Sequence, residues 1–309
     1  IMKRCIFGVD LNPMAVELAK LSLWLDSFAI SVPLTYMDHH IKSGDSIIGM
    51  YLDDLNDPSE RSLDDWMPGE ESGRMICDVI TSSDITVEQV RTSEDRYNEY
   101  VRSLKPTRWM LDALTASKIA PKRFPKKGQM QFIHRFSKDS NNADLADACD
   151  SVNLLTEKYS FFHWELEMLD AFVDSRRGFD LIVGNPPWDK IKSNNDEFFS
   201  SIYPPFRSLR PNTKKKKKIQ ELCLDDKIQK LYNNYKIEFK DKNIFCSRYK
   251  LQGVGHKEMW KLILERSIQL LSDNGMISLL LPSQLLSDTG GGGCTERDSQ
   301  ERYIIPLCI

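Results

Sequence analysis

The chain has 309 residues and a formal net charge of −3, with 41% hydrophobic and 28% charged residues. This is an ordinary globular composition, long enough for one large or two modest domains, and it argues against a wholly basic nucleic-acid module. No apolar run reaches the roughly 18 residues needed to cross a bilayer, and the N-terminus lacks a signal-peptide pattern, so we expect a cytoplasmic protein without a membrane partner.

The first predicted unit is a strand followed by a helix. Residues Cys5 to Val9 are apolar and strand-like, and Met14 to Leu25 carry apolar residues at helical spacing. Asn12 suits the N-cap of this helix, and Pro13 suits its first position. Asp10 stands between the two elements, where an acidic residue of a nucleotide-binding fold hydrogen-bonds ribose hydroxyls. Taken alone, Asp10 is equally well explained as a capping carboxylate.

A second strand-like piece follows at residues 34 to 49. It contains Leu34 to Tyr36 and then Ile41 to Gly49, which includes a Gly-Asp-Ser turn at Gly44 to Ser46. By itself such a turn indicates a loop more often than a binding site.

A long insertion occupies residues 50 to 177, between the third and fourth predicted strands. Its first part, Asp53 to Gly73, is polar and predicts a loop, and the basic Lys122 to Lys127 predicts a linker. Helices are predicted at Ile85–Leu104, Arg108–Lys118 and, with breaks, Asn141–Phe172. The aromatic cluster at Phe161 to Glu167 favours core packing over a platform for a base.

The most informative stretch is residues 178 to 188. Phe179 to Val183 predicts a strand of a parallel sheet that is buried on both faces, and Asn185 follows at its carboxyl end, where open α/β sheets bind ligands. Pro186 and Pro187 fix the backbone and supply no N–H donor, so the Asn amide oxygen and the neighbouring carbonyl are held as acceptors. Two fixed acceptors suit an exocyclic amino group, and the face of Trp188 suits a planar ring. The competing interpretation is an ordinary turn after a strand.

A second insertion, residues 189 to 255, is basic. It contains Arg207, Arg210 and the run Lys214-Lys215-Lys216-Lys217-Lys218. Such a run is usually a solvated face. Because this insertion emerges from the Asn-Pro-Pro turn, contact with a phosphate backbone is the alternative that we adopt for these five lysines.

The last recognisable unit is a helix, a turn and a strand. Gly255 to Leu271 predicts the helix, Ser272 to Gly275 an Asn-Gly turn, and Met276 to Leu281 a buried strand that crosses back onto the sheet. From Gly290 to Ile309 we expect neither the helix nor the further strands that would complete the sheet.

Neither the cysteines nor the histidines predict a metal site. The seven cysteines form no Cys-x-x-Cys pair and have no histidine pair nearby, which also argues against a disulfide framework. His39 and His40 follow Asp38, but adjacent side chains point in different directions.

Three successive motifs carry a family resemblance: residues 8–13 (Gly-Val-Asp-Leu-Asn-Pro), 40–49 (His-Ile-Lys-Ser-Gly-Asp-Ser-Ile-Ile-Gly) and 185–188 (Asn-Pro-Pro-Trp). They resemble the N6-adenine-specific DNA methyltransferases that use S-adenosyl-L-methionine, in particular the large enzymes of type II restriction-modification and BREX phage-defence systems. The likeness covers residues 4–49, 161–190 and 251–289. It implies an α/β fold, an incomplete Rossmann-like class I methyltransferase sheet with two large, mainly helical insertions.

The resemblance also implies roles for particular residues. The catalytic residues would be Asn185, Pro186, Pro187 and Trp188. The cofactor would be bound by Asp10, Leu11, Asp45, Ser46 and Asn185, with Asp10 on the ribose and Asp45 near the adenine. The implied partners are double-stranded DNA, with the target adenine flipped out, and further parts or subunits of a restriction or defence system. No Pro-Cys motif of the cytosine-C5 type is present, so no covalent enzyme intermediate is expected.

We predict six segments: core residues 1–49, a helical insertion at 50–160, the catalytic strand at 161–190, a basic insertion at 191–254, a core helix and strand at 255–289, and a divergent tail at 290–309. Members of this family carry a glycine-rich cofactor loop ahead of the position of Asp10. Here the only glycine-rich run is Gly290 to Gly293, so we expect a partial chain. The alternatives are a methyltransferase for protein glutamine or for RNA amino groups, and a non-catalytic DNA-binding fragment.

Overall fold

A computed structural model describes residues 5–26, 37–55, 70–82, 85–121, 124, 143–172, 178–250, 257–283, 303–304 and 307–308. The strands are β1 (Gly8–Asp10), β2 (Ile41–Ser43), β3 (Phe179–Gly184), β4 (Leu271–Leu281), β5 (Tyr303–Ile304) and β6 (Leu307–Cys308). The α-helices are α1 (Pro13–Asp26), α2 (Glu70–Thr81), α3 (Val87–Ile119), α4 (Ala143–Tyr159), α5 (Trp164–Glu167), α6 (Asn195–Ile202), α7 (Asn212–Leu222), α8 (Asp226–Phe245) and α9 (Met259–Leu270). Short 3₁₀ helices lie at Leu52–Leu55, Leu169–Ala171, Pro204–Ser208 and Cys246–Arg248.

The chain divides into two compact units. The first contains residues 1–184, 266–279 and 297–306, and the second contains residues 185–265, 280–296 and 307–309. Both helices and parallel strands are present, as an α/β protein requires. Among the described helices, none has an apolar stretch long enough to cross a membrane.

The first unit begins with a strand–helix–strand arrangement. Helix α1 starts as predicted, since Asn12 Oδ1 accepts the N–H of Met14 at 3.0 Å and Pro13 is its first residue. Strand β1 pairs in parallel with β2, from Gly8 opposite Ile41 to Asp10 opposite Ser43. The observed β1 is shorter than the predicted strand from Cys5 to Val9, because pairing with β2 begins only at Gly8. The predicted piece at Leu34–Tyr36 lies outside the described residues.

Helix α3 is the longest element of the first insertion. It has 33 residues and runs through Pro106, so the predicted break between Leu104 and Arg108 is wrong. A proline removes one helical hydrogen bond, yet tertiary packing outweighs that loss here, because buried residues line α3 on both sides of Pro106. A capping box formed by Thr86 and Gln89 fixes its N-terminus.

The other predictions for this insertion have mixed outcomes. Helix α2 begins at Glu70, so the loop predicted up to Gly73 ends too late. The prediction of broken helices before Phe172 is confirmed by α4, α5 and a 3₁₀ turn. Of the predicted linker at Lys122–Lys127, only Phe124 is described.

The aromatic cluster before β3 belongs to the core, as predicted. Phe161 and Phe162 are buried. The ring of Trp164 meets the edges of Phe162 and Phe179 at centroid distances of 5.0 and 5.7 Å. These contacts fix the beginning of β3 within the first unit.

Strand β3 pairs in parallel with β4, and Leu181 lies opposite Met276. The prediction that β3 is buried on both faces is wrong, because Leu181 and Val183 are 53% and 70% exposed. Within the described residues β3 pairs with β4 alone, and nothing described covers its outer face. Gly178 has φ of +145°, and a Cβ there would lie 2.6 Å from the Leu270 carbonyl oxygen, so the entry to β3 requires glycine.

Strand β4 is longer than predicted. The expected Asn274-Gly275 turn is wrong: these residues lie inside β4, in a bulged segment where the pairing with β3 shifts register between Phe179 and Leu181. The expectation that the tail adds no strands is also wrong, since β5 and β6 both pair in parallel with β4. The glycine run at 290–293 lies outside the described residues.

The second unit is mainly helical. Its core is an aromatic cluster in which Phe199, Phe206 and Tyr232 are buried. Phe199 comes from α6, Tyr232 from α8 and Phe206 from the 3₁₀ turn between α6 and α7. Ile219 and Leu222 of α7, the helix that carries the lysine run, pack against this core.

Candidate functional site

Two polar turns follow the first pair of parallel strands. β1 ends at Asp10 and β2 ends at Ser43, and the N–H of Gly44 donates to the Asp10 carbonyl oxygen at 3.0 Å. The structure therefore brings the turn after Asp10 and the turn that contains Asp45 together at one edge of the first unit. The Asp10 side chain is exposed, and its Oδ1 accepts the N–H of Asn12 at 2.7 Å. Leu11 is also exposed.

Asp45 is buried and shapes its own turn. Its Oδ1 accepts the N–H groups of Ile47 and Ile48 at 3.0 and 3.3 Å, an arrangement that fixes the backbone after β2. The carbonyl of Ser46 accepts the indole N–H of Trp164 at 2.9 Å. Residues 44 to 50, the Asp45 loop hereafter, are therefore held partly by their own carboxylate and partly by the aromatic core.

Two further side chains, which the sequence did not single out, hold the Asp45 loop. Arg266 of α9 is buried and donates to the carbonyls of Ile47 and Gly49 at 2.8 and 3.3 Å. His163 accepts the N–H of Met50 at Nδ1, 3.0 Å away, so its Nε2 donates to Asp112 of α3 at 2.9 Å. A lone Arg and a lone His carry no sequence signal for such roles, because their partners are backbone atoms far away in the chain.

The loop also depends on a close backbone approach at Gly49. A Cβ at this position would lie 1.8 Å from the carbonyl oxygen of Phe162. Only glycine allows the two backbone segments to approach this closely.

A buried ion network lies beside the loop. Lys42 of β2 donates to Glu167 at Oε2, 2.9 Å away, and to its backbone carbonyl at 2.6 Å, and Arg108 of α3 also pairs with the Glu167 carboxylate. Burial raises the pKa of Glu167, but the charges of Lys42 and then Arg108 outweigh burial and lower the pKa to about 2. Burial likewise lowers the pKa of Lys42, and the Glu167 charge more than reverses this, so its pKa is raised. Glu167 and Lys42 thus both stay charged near neutral pH.

These charged groups line part of an open cavity of about 350 Å³ in the first unit. The cavity is lined by Pro13, Val16, Glu17, Lys20, Asp38, Ile41, Lys42, Ser43, Tyr97, Arg108 and Glu167. Positive and negative side chains are present in equal number on its wall, so the wall has no strong bias toward one charge.

The two adjacent histidines are buried. His40 Nε2 lies 2.7 Å from Asp170 Oδ2 and its ring packs on Phe7. Within the described part of the chain, no group of three or more His, Cys, Asp or Glu side chains is placed to hold a metal ion.

The Asn-Pro-Pro-Trp turn belongs to the second unit and follows directly after β3. Asn185 is exposed and Pro186 is buried. No other group in the described ranges hydrogen-bonds to the Asn185 amide. Trp188 is 49% exposed, and its indole N–H donates to the Leu280 carbonyl of β4 at 3.3 Å. The polar edge of the ring is thus tied to β4 while about half of its surface stays accessible.

The exit of the turn is fixed by backbone bonds. Lys190 and Glu258 form an antiparallel bridge. In addition, Met259 N–H donates to Asp189 O and Ile191 N–H to Lys257 O, both at 2.9 Å. The backbone of the turn is therefore fixed by this bridge at its exit, and Trp188 is fixed by its bond to Leu280 of β4.

The structure separates the five lysines of α7 into two kinds. Lys215 is buried, pairs with Asp196 and lies over the Phe206 ring, while Lys218 pairs with Glu221 at 2.7 Å and lies over the Tyr203 ring. The remaining three, Lys214, Lys216 and Lys217, are exposed, and none forms an ion pair with a described residue. The ammonium of Lys215, which was predicted to contact DNA with the other four, is thus paired inside the protein, and contact of the run with DNA stays a prediction.

The predicted site residues fall into two groups. Asp10, Leu11, Asp45 and Ser46 lie together in the first unit, and Asn185 to Trp188 lie in the second unit with the lysines of α7. Each group has the local order expected of a binding surface at the carboxyl end of parallel strands.

Comparison with known proteins then gives one match. No curated protein and no solved structure matches the chain. The family model described as the Eco57I restriction-modification methylase matches residues 4–300, which include both turns and both insertions. The chain therefore belongs to the Eco57I restriction-modification methylase family.

Proposed function

We propose that this chain is the catalytic core of a site-specific DNA methyltransferase that methylates N6 of adenine with S-adenosyl-L-methionine as the methyl donor. The observation that carries the proposal is the Asn185 turn. It combines an exposed Asn185 amide and a Pro186 carbonyl, neither of which hydrogen-bonds to a described residue, with a half-exposed Trp188 whose indole N–H donates to Leu280. Membership of a methylase family supports the reaction class.

The amide oxygen of Asn185 and the carbonyl of Pro186 would accept the two hydrogens of the adenine amino group. Accepting both hydrogens raises electron density on the nitrogen and stabilises the positive charge that develops during attack on the methyl group. Since Pro186 and Pro187 have no N–H, neither can compete for these acceptors. This catalysis by fixed dipoles needs no covalent enzyme intermediate.

Trp188 would stack on the target base. An adenine within a duplex cannot enter such a turn, so it must be flipped out of the helix at a cost of a few kcal/mol. Stacking on an aromatic side chain is worth roughly 1–3 kcal/mol per base and offsets part of that cost. The bond from the Trp188 indole to Leu280 keeps the ring in one orientation for this contact.

The residues of the first unit fit a nucleoside-containing cofactor. The exposed carboxylate of Asp10 lies at the end of β1, the position from which acidic residues bind ribose hydroxyls in Rossmann-like sheets. Its Oδ1 is oriented by the Asn12 N–H, which leaves Oδ2 for a hydroxyl. Asp45 and Ser46 would form the adenine side of the pocket through the fixed backbone of the Asp45 loop. When bound, S-adenosyl-L-methionine supplies an activated methyl group.

Double-stranded DNA would be held in part by α7. The exposed Lys214, Lys216 and Lys217 have no ion-pair partner among the described residues, so their ammonium groups are available to phosphates. Each phosphate that they neutralise releases counterions and makes binding weaker as salt rises. Lys215 instead stabilises the helix that presents them.

The test is methyl transfer from tritium-labelled S-adenosyl-L-methionine to DNA, RNA and protein, followed by digestion of the labelled product. We expect label in DNA and its recovery as N6-methyl-2′-deoxyadenosine. Label in RNA or in protein glutamine would contradict the proposed substrate. Calorimetry provides a second test, in which the binding of S-adenosyl-L-methionine and of DNA is measured separately. A chain that binds DNA but not the cofactor would be a non-catalytic DNA-binding fragment.

A further inference from the structure

His163 is a buried side chain that connects the end of the Asp45 loop to helix α3. Its ring is fully buried, its Nδ1 accepts the N–H of Met50 at 3.0 Å, and its Nε2 donates to Asp112 at 2.9 Å. An ionised carboxylate accepts hydrogen bonds and donates none, so Asp112 places the ring proton on Nε2 and leaves Nδ1 as an acceptor. The carboxylate of α3 thus selects the tautomer that binds the loop.

The His163 ring binds the loop just beyond the backbone pairing between the loop and residues 160–163. Within that pairing, the N–H of Phe162 donates to the Ile48 carbonyl at 2.9 Å. Two residues further along the loop, the N–H of Met50 is bound by the ring. A buried N–H that loses its acceptor costs free energy comparable to a lost hydrogen bond, so the ring supports the conformation of the last part of the loop.

The bond at Met50 is transmitted to Asp45 through the short backbone between them. Oδ1 of Asp45 binds the N–H groups of Ile47 and Ile48, and only Gly49 separates Ile48 from Met50. A displacement of Met50 therefore moves the two N–H groups that orient the Asp45 carboxylate.

The place of His163 at the start of α5 supports a role outside that helix. It is the N-cap of α5, a position that favours Ser, Thr, Asp or Asn, whose side chains accept a helical N–H. The His163 side chain accepts no N–H from α5, all of whose residues are described, although its backbone carbonyl accepts those of Leu166 and Glu167 at 3.0 and 2.8 Å. The side chain therefore serves the loop rather than the helix.

We propose that His163 is a positioning residue for the cofactor, which keeps Asp45 and Ser46 in the arrangement that binds S-adenosyl-L-methionine. The inference rests on the proposed function, in which these two residues form the adenine side of the pocket. It adds that α3, a helix of the first insertion, supports the cofactor site through Asp112. Because His163 is buried and acts through the loop backbone, its loss should raise KM for the cofactor and leave kcat at saturating cofactor unchanged.

Two substitutions of His163 separate positioning from stability. His163→Gln can still reach Asp112 but has no acceptor at the position of Nδ1, whereas His163→Asn keeps an acceptor there and loses the bond to Asp112. Each loses one buried hydrogen bond, so both should lower the free energy of unfolding by similar amounts. We expect Kd for S-adenosyl-L-methionine to rise roughly tenfold in His163→Gln, as for a loop that holds its binding conformation about a tenth of the time, and to stay within about twofold of wild type in His163→Asn.

Hydrogen exchange reports whether the bond to the loop is kept. The amides of residues 47–50 should exchange faster in His163→Gln and stay protected in His163→Asn. Kd should therefore follow the protection of these amides and not the free energy of unfolding. His40→Gln is the matched control, because His40 is also buried and lies 2.7 Å from a carboxylate oxygen, that of Asp170. It should lower stability and leave Kd unchanged.

Calorimetry of the wild type distinguishes failure of this inference from failure of the proposed function. If wild type binds no S-adenosyl-L-methionine, the proposed cofactor is wrong, and a role of His163 in binding it is wrong as well. If wild type binds the cofactor but Kd is unchanged in His163→Gln, or follows the free energy of unfolding across all variants, only the positioning role is overturned.

Discussion

The Asp45 loop and the Asn185 turn both follow a parallel strand, but their polar groups are used in opposite ways. In the Asp45 loop the carboxylate accepts two backbone N–H groups, and His163 and Arg266 bind further backbone atoms. In the Asn185 turn the backbone is fixed by prolines and by the bridge to Glu258, and the amide hydrogen-bonds to no described residue. Side-chain hydrogen bonds thus fix the first turn, whereas prolines and backbone bonds fix the second and Asn185 stays exposed.

Because of this difference, we expect substitutions near the Asp45 loop to lower stability and substitutions in the Asn185 turn to lower activity. Polar side chains around the Asp45 loop are buried and hydrogen-bonded to its backbone, so their loss should destabilise the fold. Exposed residues of the Asn185 turn and α7 should affect the reaction or DNA binding while the fold is kept. The following substitutions test that separation.

The largest effect on stability is expected from Glu167→Gln. It leaves the buried Lys42 without its carboxylate, and removing one partner of a buried ion pair costs roughly 3–5 kcal/mol. The free energy of unfolding, measured by urea titration, should fall by about that amount. Glu17→Gln is the control, because Glu17 is a mostly exposed partner of Lys20 and should change stability by less than about 1 kcal/mol. Equal effects of the two substitutions would contradict a structural role for the network.

Acid should destabilise the protein partly through the same residue. The pKa of Glu167 is lowered to about 2 in the folded protein from a usual value of 4.5, so its stabilising contribution is present above pH 4.5. This contribution is lost as the pH falls through the window from about 4.5 to about 2, because the unfolded chain takes up the proton first. A series of urea titrations across this window should show a shallower loss of stability for Glu167→Gln than for wild type. Parallel curves would show that another carboxylate is responsible.

Trp188→Ala should affect the reaction more than the fold. Loss of stacking worth about 1–3 kcal/mol predicts a decrease in kcat/KM for methyl transfer of roughly 5- to 150-fold. Trp188→Phe keeps an aromatic face and should retain most of the activity. If both variants were equally impaired, the bond from the indole to Leu280 rather than stacking would be the important contact.

The smallest changes in stability and in DNA binding are expected from substitutions in the lysine run. Here different lysines should affect the two quantities. Lys216→Ala/Lys217→Ala should leave the melting temperature unchanged and lower the slope of log K against log salt by about 0.9 for each phosphate that is no longer neutralised. Lys215→Ala should instead lower the melting temperature, because it removes the ion pair with Asp196 and the packing on Phe206. If Lys215→Ala lowered the salt dependence of DNA binding as much as Lys216→Ala/Lys217→Ala does, the distinction between buried and exposed lysines would be wrong.

Local patterns in the sequence predicted those features whose causes are local. The start of α1 follows from Asn12 and Pro13, and the helical insertions follow from apolar spacing. The same patterns failed where tertiary contacts decide the outcome. Helix α3 continues through Pro106 because of its packing, and Asn274-Gly275 lies within β4 because pairing with β3 absorbs the irregularity as a bulge.

The candidate site shows the same limit. The motifs around Asp10, Asp45 and Asn185 can be found in the sequence because their residues are contiguous. The support from His163, Arg266 and Lys42 cannot, because each of these side chains binds at least one partner more than 100 residues away. The burial of Lys215 was equally hidden, since five identical residues in a row give no indication of which one faces the core.

The central claim is that the Asn185 amide takes part in methyl transfer without supporting the fold. The most direct test compares wild type, Asn185→Ala and Asn234→Ala, an exposed asparagine of α8, for tritium transfer to DNA and for the free energy of unfolding. The account predicts that Asn185→Ala abolishes transfer while its stability stays within about 1 kcal/mol of wild type, and that Asn234→Ala changes neither quantity. Full activity in Asn185→Ala would contradict it.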